Sequence, residues 1–357
     1  MGGAGRRGSG GGGGWSSFSQ RRKLRLIRTG AISLVLLVIF VWVVGRCGSD
    51  DTVAVTGSNT STTVTSTEPP RAQLATATAL QVALGGATYS GVPAVIDGKI
   101  YILGGLNEKK QSSKTIWLFD PLSNTVTEAG ALTAPTHDPM GGAIGASAFA
   151  FGGGAGNKTF DKVEVFAAGA TVATVSAKLP SPRTDGIAVS TPTRDSLFVI
   201  GGYDGKNPTN DVLGTSDGKT FAARAVLAQT VRYPAAEIAG NVIWVFGGEQ
   251  NNQPTDLIQK IDLTTGEATV AGRLAAPMSH ASAFTLGGTI FIAGGKSADG
   301  ATDAIRRFDP TTISTVDAGV LPTTTTDAMV AVSGETAYLI GGLTPKASSG
   351  IVAITAK

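Results

Sequence analysis

An apolar run ending in two glycines recurs six times in this chain: IYILGG (100–105), AFAFGG (148–153), LFVIGG (197–202), IWVFGG (243–248), IFIAGG (290–295) and AYLIGG (337–342). The first glycines fall at 104, 152, 201, 247, 294 and 341, so the gaps are 48, 49, 46, 47 and 47 residues. A chance motif does not hold such a period. Self-similarity at a fixed spacing marks a repeat architecture and restricts the fold before any single element is assigned.

One period shows how a unit is built. GVPAVI (91–96) is a short apolar run, and Asp97-Gly98 is a hairpin turn signal. KIYILGG follows as a second strand, a polar loop (106–114) leads to TIWLFD (115–120), and PLSN turns the chain into TVTEAGAL (125–132). Four short strands and no helical periodicity predict an all-β fold. Four-stranded units repeated radially are propeller blades, and six periods predict six blades. The unbroken apolar run suits a strand buried on both faces between neighbouring blades. The glycine pair suits a strand end that needs positive φ and close backbone approach. GGGAGNKT (152–159) lacks the spacing of a phosphate-binding loop, and no helix pattern follows it. FDPLSNT (119–125), IDLTTGE (261–267) and FDPTTIS (308–314) repeat one turn in which an aspartate bonds backbone two residues on.

The sixth unit ends early, because after Gly341-Gly342 only GIVAITAK (350–357) remains. TATALQVAL (76–84) stands where a fourth strand is needed. It is expected to pair with the C-terminal strand and close the ring, which removes an exposed edge.

Charge is distributed unevenly. Residues 1–70 hold eight Lys/Arg against three Asp/Glu, whereas residues 71–357 hold 21 against 23. The repeat region therefore lacks the basic surface that nucleic acid requires, and no nucleic-acid partner is expected. The single cysteine, Cys47, precludes an intrachain disulfide. Residues 29–45 carry no charge and at helical rise span about 25 Å, close to the lower limit for crossing a bilayer. Seven basic residues precede this run, and after Arg46 none follows until Arg71. The positive-inside rule then puts the N-terminus in the cytoplasm. The run and its leader are longer than those of a cleaved secretory signal. In VGRC (44–47) an arginine occupies the small-residue position of a lipoprotein box. The expected organisation is a disordered basic cytoplasmic tail (1–28), a transmembrane helix (29–46), a Thr/Ser-rich linker (47–75) and an extracytoplasmic propeller (76–357) on the cell membrane.

The six apolar-Gly-Gly phrases, the Asp-Pro turns and fragments such as LPSPR (179–183) resemble kelch repeats over residues 76–357. The resemblance implies a six-bladed, kelch-type β-propeller. Kelch repeats commonly carry a tryptophan on the fourth strand. Here Trp117 lies on a third strand and Trp244 on a second, so the outer packing is expected to differ.

In a propeller, the loop leading into each inner strand and the loop after each second strand share one face, and function concentrates in such loops. Counting from the leucine that ends each outer strand aligns the lead-in triplets as TYS (88–90), THD (136–138), RTD (183–185), VRY (231–233), MSH (278–280) and TTD (325–327). The candidate ligand-binding residues at the channel mouth are His137, Asp138, Arg183, Asp185, Arg232, Tyr233, His280 and Asp327. Neighbouring loops add Glu108, Lys109, Tyr203, Asp204, Lys206, Glu249, Gln250, Lys296 and Asp299. The two histidines belong to opposite blades, too far apart for one metal ion, so neither metal nor cofactor is expected. The mixture of Arg, Asp, Tyr and His suits charged or hydroxyl-rich ligands. The expected function is binding of a protein or a cell-envelope glycan. The resemblance also admits an enzyme of the metal-free sialic-acid-epimerase type. It argues against a copper-radical oxidase, which needs a Tyr-Cys crosslink that a cysteine-free domain cannot form.

Overall fold

A computed structural model of the protein describes residues 71–357. The expected tail, the membrane helix 29–46 and the linker up to residue 70 lie outside the described residues. Among the described residues no helix is long and apolar enough to cross a membrane.

Six antiparallel sheets of four main strands follow one another along the chain. Blade 1 runs outward from the axis as Val92–Ile96, Lys99–Leu103, Thr115–Asp120 and Thr125–Ala131. Blade 2 is Met140–Ile144, Ser147–Phe151, Lys162–Ala167 and Thr174–Lys178. Blade 3 is Ile187–Ser190, Leu197–Ile200, Asp211–Thr215 and Ala222–Val226. Blade 4 is Ala235–Ala239, Val242–Phe246, Gln253–Asp262 and Ala268–Met278. Blade 5 is Ser282–Leu286, Thr289–Ala293, Ala304–Asp309 and Ser314–Val320. Blade 6 is Met329–Ser333, Thr336–Ile340 and Gly350–Ala356, completed by the N-terminal strand Ala75–Ala83. The inner strands of consecutive blades pack side by side, and that of blade 6 packs on that of blade 1.

The closure expected from the sequence is present. Ala75 pairs with Ala356 and Ala83 with Gly350, antiparallel, with a bulge between. Backbone bonding extends further, as the Leu74 and Lys357 amides each donate to the other's carbonyl at 3.1 and 3.0 Å. Ala72 is also engaged: its N–H bonds Gly287 at 3.0 Å and its carbonyl accepts the Thr289 hydroxyl at 2.8 Å.

The apolar runs divide between two interfaces because side chains alternate along a strand. In blade 1, Ile100 and Ile102 join the core shared with blade 6, whereas Tyr101 and Leu103 join the core shared with blade 2. In blade 5, Ile290 and Ile292 face blade 4, while Phe291 and Ala293 face blade 6. Six separate cores result, one at each blade interface. The leucine four residues before each lead-in triplet (Leu84, Leu132, Leu179, Leu227, Leu274 and Leu321) is buried in every blade, and in blade 4 the outer strand runs on past it to Met278.

The outer packing differs from the tryptophan-bearing pattern in a definite way. In the first five blades the pairing of third and fourth strands slips by a bulge at the same place, between Ile116/Trp117, Val163/Glu164, Val212/Leu213, Ile258/Gln259 and Ile305/Arg306. In three of these blades the residue after the slip fastens the blade to the connection from the preceding one. Trp117 covers Gly85 so closely that a Cβ there has no room. Buried Glu164 accepts the Thr133 N–H at 2.7 Å, and buried Gln259 accepts the Gln229 N–H at 2.9 Å.

Candidate functional site at the channel mouth

Two circuits of backbone hydrogen bonds build the mouth. In each blade the second glycine of the pair donates its N–H to the first residue of the next lead-in triplet. The bonds run from Gly105 to Thr136, Gly153 to Arg183, Gly202 to Val231, Gly248 to Met278, Gly295 to Thr325 and Gly342 to Thr88, at 2.7–3.0 Å. Both glycines of every pair have positive φ. At Gly104 an added Cβ would stand 2.6 Å from the Thr136 carbonyl, so close approach as well as conformation demands glycine there.

The second circuit joins the third residues of the triplets, Ser90, Asp138, Asp185, Tyr233, His280 and Asp327, all with φ between 48° and 61°. Each of five donates its N–H to its predecessor in the ring: Asp138 to Ser90, Tyr233 to Asp185, His280 to Tyr233, Asp327 to His280 and Ser90 to Asp327, at 2.7–3.1 Å. The remaining link, between blades 2 and 3, is made instead by the Thr184 hydroxyl, which donates to the Asp138 carbonyl at 3.3 Å. All six third residues line a central channel of about 520 Å3, and no first or second residue does.

This geometry sorts the residues expected at the mouth. First positions are buried in every triplet, and Arg183 is among them. It is therefore not a mouth residue: its guanidinium donates to Asp211 at 2.6 Å and to the Gly201 carbonyl at 3.2 Å, inside the ring. Arg232, at a second position, does reach the mouth. It donates to Asp185 through Nε at 3.0 Å and to the Tyr233 hydroxyl at 3.1 Å, with its guanidinium 4.7 Å from the Tyr203 ring centre. Tyr233 stacks on His280 at 4.2 Å. His280 sits between two carboxylates, Asp327 at 2.6 Å and Glu249 at 3.2 Å. His137 instead shares a 2.8 Å hydrogen bond with Ser112 and takes no part in that network. Of the neighbouring-loop residues, Glu249 and Tyr203 belong to the network. Gln250 donates to the Thr230 carbonyl at 3.1 Å, and Asp204 shapes its own turn by accepting the Lys206 and Asn207 amides at 2.7 Å. Glu108, Lys109, Lys206, Lys296 and Asp299 are exposed around the rim.

Electrostatics separate the mouth groups further. Burial, followed by the fields of Asp185 and Asp327, pushes the Asp138 carboxyl up to about 7, against a hydrogen bond from Ser90. Burial opposes charge on His280, but the Asp327 contact and then Glu249 outweigh it and raise its pKa. Burial lowers the pKa of His137. Burial and the nearby aspartates move the Tyr233 hydroxyl far up, so it stays a neutral donor. Among the described residues no group of His, Cys, Asp and Glu is arranged to hold a metal ion.

Two channel residues escaped sequence reasoning. Glu237 lies on the inner strand of blade 4 and lines the channel, where burial pushes its carboxyl up to about 7. Its only signal was an acid in the apolar run AAEIA. Arg194 lies in the connection between the first two strands of blade 3, which runs from Thr191 to Ser196 where the other blades use two residues. Arg194 donates to the Val332 carbonyl of the opposite blade at 2.9 Å, across the end of the channel away from the mouth.

Residues 87–133 match the Kelch motif family, a span that begins at the first lead-in triplet and takes in blade 1. The spermatocyte protein spe-26 of Caenorhabditis elegans is 28% identical over 128 residues, covering 34% of this chain and 22% of that protein. The matched part is thus about a fifth of the relative's length. Together the Kelch motif match and the closed ring of six four-stranded blades support a kelch-repeat propeller.

Proposed function

We propose that the protein is an interaction module that holds a protein partner against the channel mouth, displayed outside the cell by a membrane segment at residues 29–46. Kelch propellers serve generally as protein-interaction modules, which supports the class of function. The observation that carries the choice of face is the double hydrogen-bond circuit. It holds six loops in fixed register and spares the partner the cost of ordering them. Within that rim Arg232, Tyr203 and Tyr233 form one compact cluster, and arginine and tyrosine are the side chains that most often dominate binding energy.

Affinity capture with the purified protein tests this reading. Wild type is expected to retain a partner from the membrane and envelope fraction, and Arg232→Ala to reduce retention at least tenfold while the protein stays folded, with a lowered melting temperature because buried Asp185 loses its cation. Retention that survives Arg232→Ala and Tyr233→Ala would place the contact elsewhere. Retention of glycan without protein would identify a carbohydrate ligand, and chemical change in a retained sugar would identify an enzyme.

A further inference from the structure

Matching the channel's charges leaves two carboxyls over. Asp185 is paired with Arg232, and Asp327 and Glu249 share His280. The nearest basic atom to Asp138 is Nε2 of His137 at 4.0 Å, on a ring whose pKa is lowered. Glu237 accepts only the neighbouring Ile238 N–H, at 3.0 Å, and no charged group contributes to its titration.

The two carboxyls stand at different depths of the channel. Asp138 is in the mouth ring. Glu237 is the middle residue of the inner strand Ala235–Ala239 and four residues beyond Tyr233, the ring residue of its own blade, so it lies deeper than the ring by at most about 13 Å at 3.3 Å per residue. The wall between them is mixed, and Val92, Met140, Ile187 and Met329 supply apolar surface within it. Arg194 crosses the far end and narrows it. The channel's 520 Å3 falls within the range of small-molecule sites, roughly 300–1,000 Å3.

We propose that the channel binds a linear aliphatic diamine or polyamine, with one ammonium on Asp138, a second on Glu237 and the methylene chain against the apolar wall. The two carboxyls stand at different depths and on different blades, so the ligand that bridges them needs a chain of several methylenes between its nitrogens. Isolated buried carboxyls are costly to ionise, and a ligand that brings its own cations removes that cost. Both groups are held near 7, so a bound dication drives them to ionise and releases protons. The groups facing Asp138 are Asp185, Asp327, His137, His280 and Ser90. Binding is therefore expected to tighten between pH 6 and pH 8.

Calorimetry on the full chain in detergent, with 1,6-diaminohexane as the probe, tests the proposal. The expected result is one site per chain, at least tenfold weaker binding of hexylamine and of 1,3-diaminopropane, and at least tenfold loss in Asp138→Asn and in Glu237→Gln. Asparagine tolerates the positive φ at position 138, and Asp317→Asn on the exposed rim of blade 5 is the control that keeps binding. No heat at millimolar diamine at pH 8 overturns the proposal, as does equal affinity for hexylamine. Unchanged affinity in both carboxyl variants overturns it too. If a variant fails to fold, the chain-length series on the wild type decides alone. Partner capture at the mouth is measured separately, so either result can fail without the other.

Discussion

Arg183 and Arg232 occupy neighbouring positions of one loop motif, first and second in the triplet, and that offset sends them to opposite environments. Removing Arg183 leaves Asp211 without its cation and empties a buried site. Asp211 is 38% exposed and water can solvate it, so Arg183→Met is expected to cost about 1–2 kcal/mol by chemical denaturation while leaving capture at the mouth unchanged. The pH response of the ring also belongs at this scale. Folding raises Asp138 from 3.8 and Glu237 from 4.5 to about 7. Their contribution to stability is full below pH 4 and is lost as pH rises to about 7. His280, also raised, acts in the same direction, and His137, lowered, acts against it. The double variant Asp138→Asn/Glu237→Gln is therefore expected to lose less melting temperature than wild type between pH 5 and pH 8; an unchanged slope would assign the effect to other groups. The triplet register was legible in the sequence, because a leucine stands four residues before every triplet. The burial of Arg183 was not: Asp211, its partner, is 28 residues away, and nothing local marks a first position as the one that faces inward. Glu237 was hidden for a related reason. Its strand reads as core, and only the ring geometry shows that one edge of that strand faces the channel.

At the scale of the element, a hairpin glycine and a glycine of the repeated pair separate two demands that a sequence presents as one. Gly240 and Gly341 both have positive φ, 58° and 66°. A Cβ at Gly240 meets nothing within 4 Å, whereas one at Gly341 collides with the Thr88 carbonyl. Gly240→Ala should therefore cost about 1 kcal/mol, the conformational term alone. Gly341→Ala should cost more than about 3 kcal/mol, because backbone across the blade interface must move. Equal costs in urea denaturation would show that the interface relaxes freely. The strands of blade 1 were readable almost to the residue from hairpin and turn chemistry. Their outer bulges were not, because an inserted residue leaves the hydrophobic alternation intact on the inner strands that carry most of the pattern.

Across the whole molecule, the ring is held shut by one strand pair. Deleting residues 350–357 removes the partner of Ala75–Ala83 and a strand of blade 6 at once. The truncated protein is expected to lose its cooperative transition, and a folded monomer of unchanged melting temperature would refute ring closure as the source of stability. The mouth circuit predicts a second global signature. In native-state hydrogen exchange, the amides of Ser90, Asp138, Tyr233, His280 and Asp327 should be protected to nearly the global limit. That of Asp185, at the one link made by a side chain, should exchange faster. The strand pair that closes the ring also joins the earliest described strand to the latest. Ribosomes add roughly 5–20 residues per second, so Ala75–Ala83 waits some tens of seconds for Gly350–Ala356 to emerge. During that interval five blades can form in turn, but the sixth cannot. Its inner strands and the unpaired N-terminal strand are open to capture by a chaperone, or by the same strand of another nascent chain. Synthesis, rather than the finished ring, is therefore the stage at which this architecture is most exposed to misassembly.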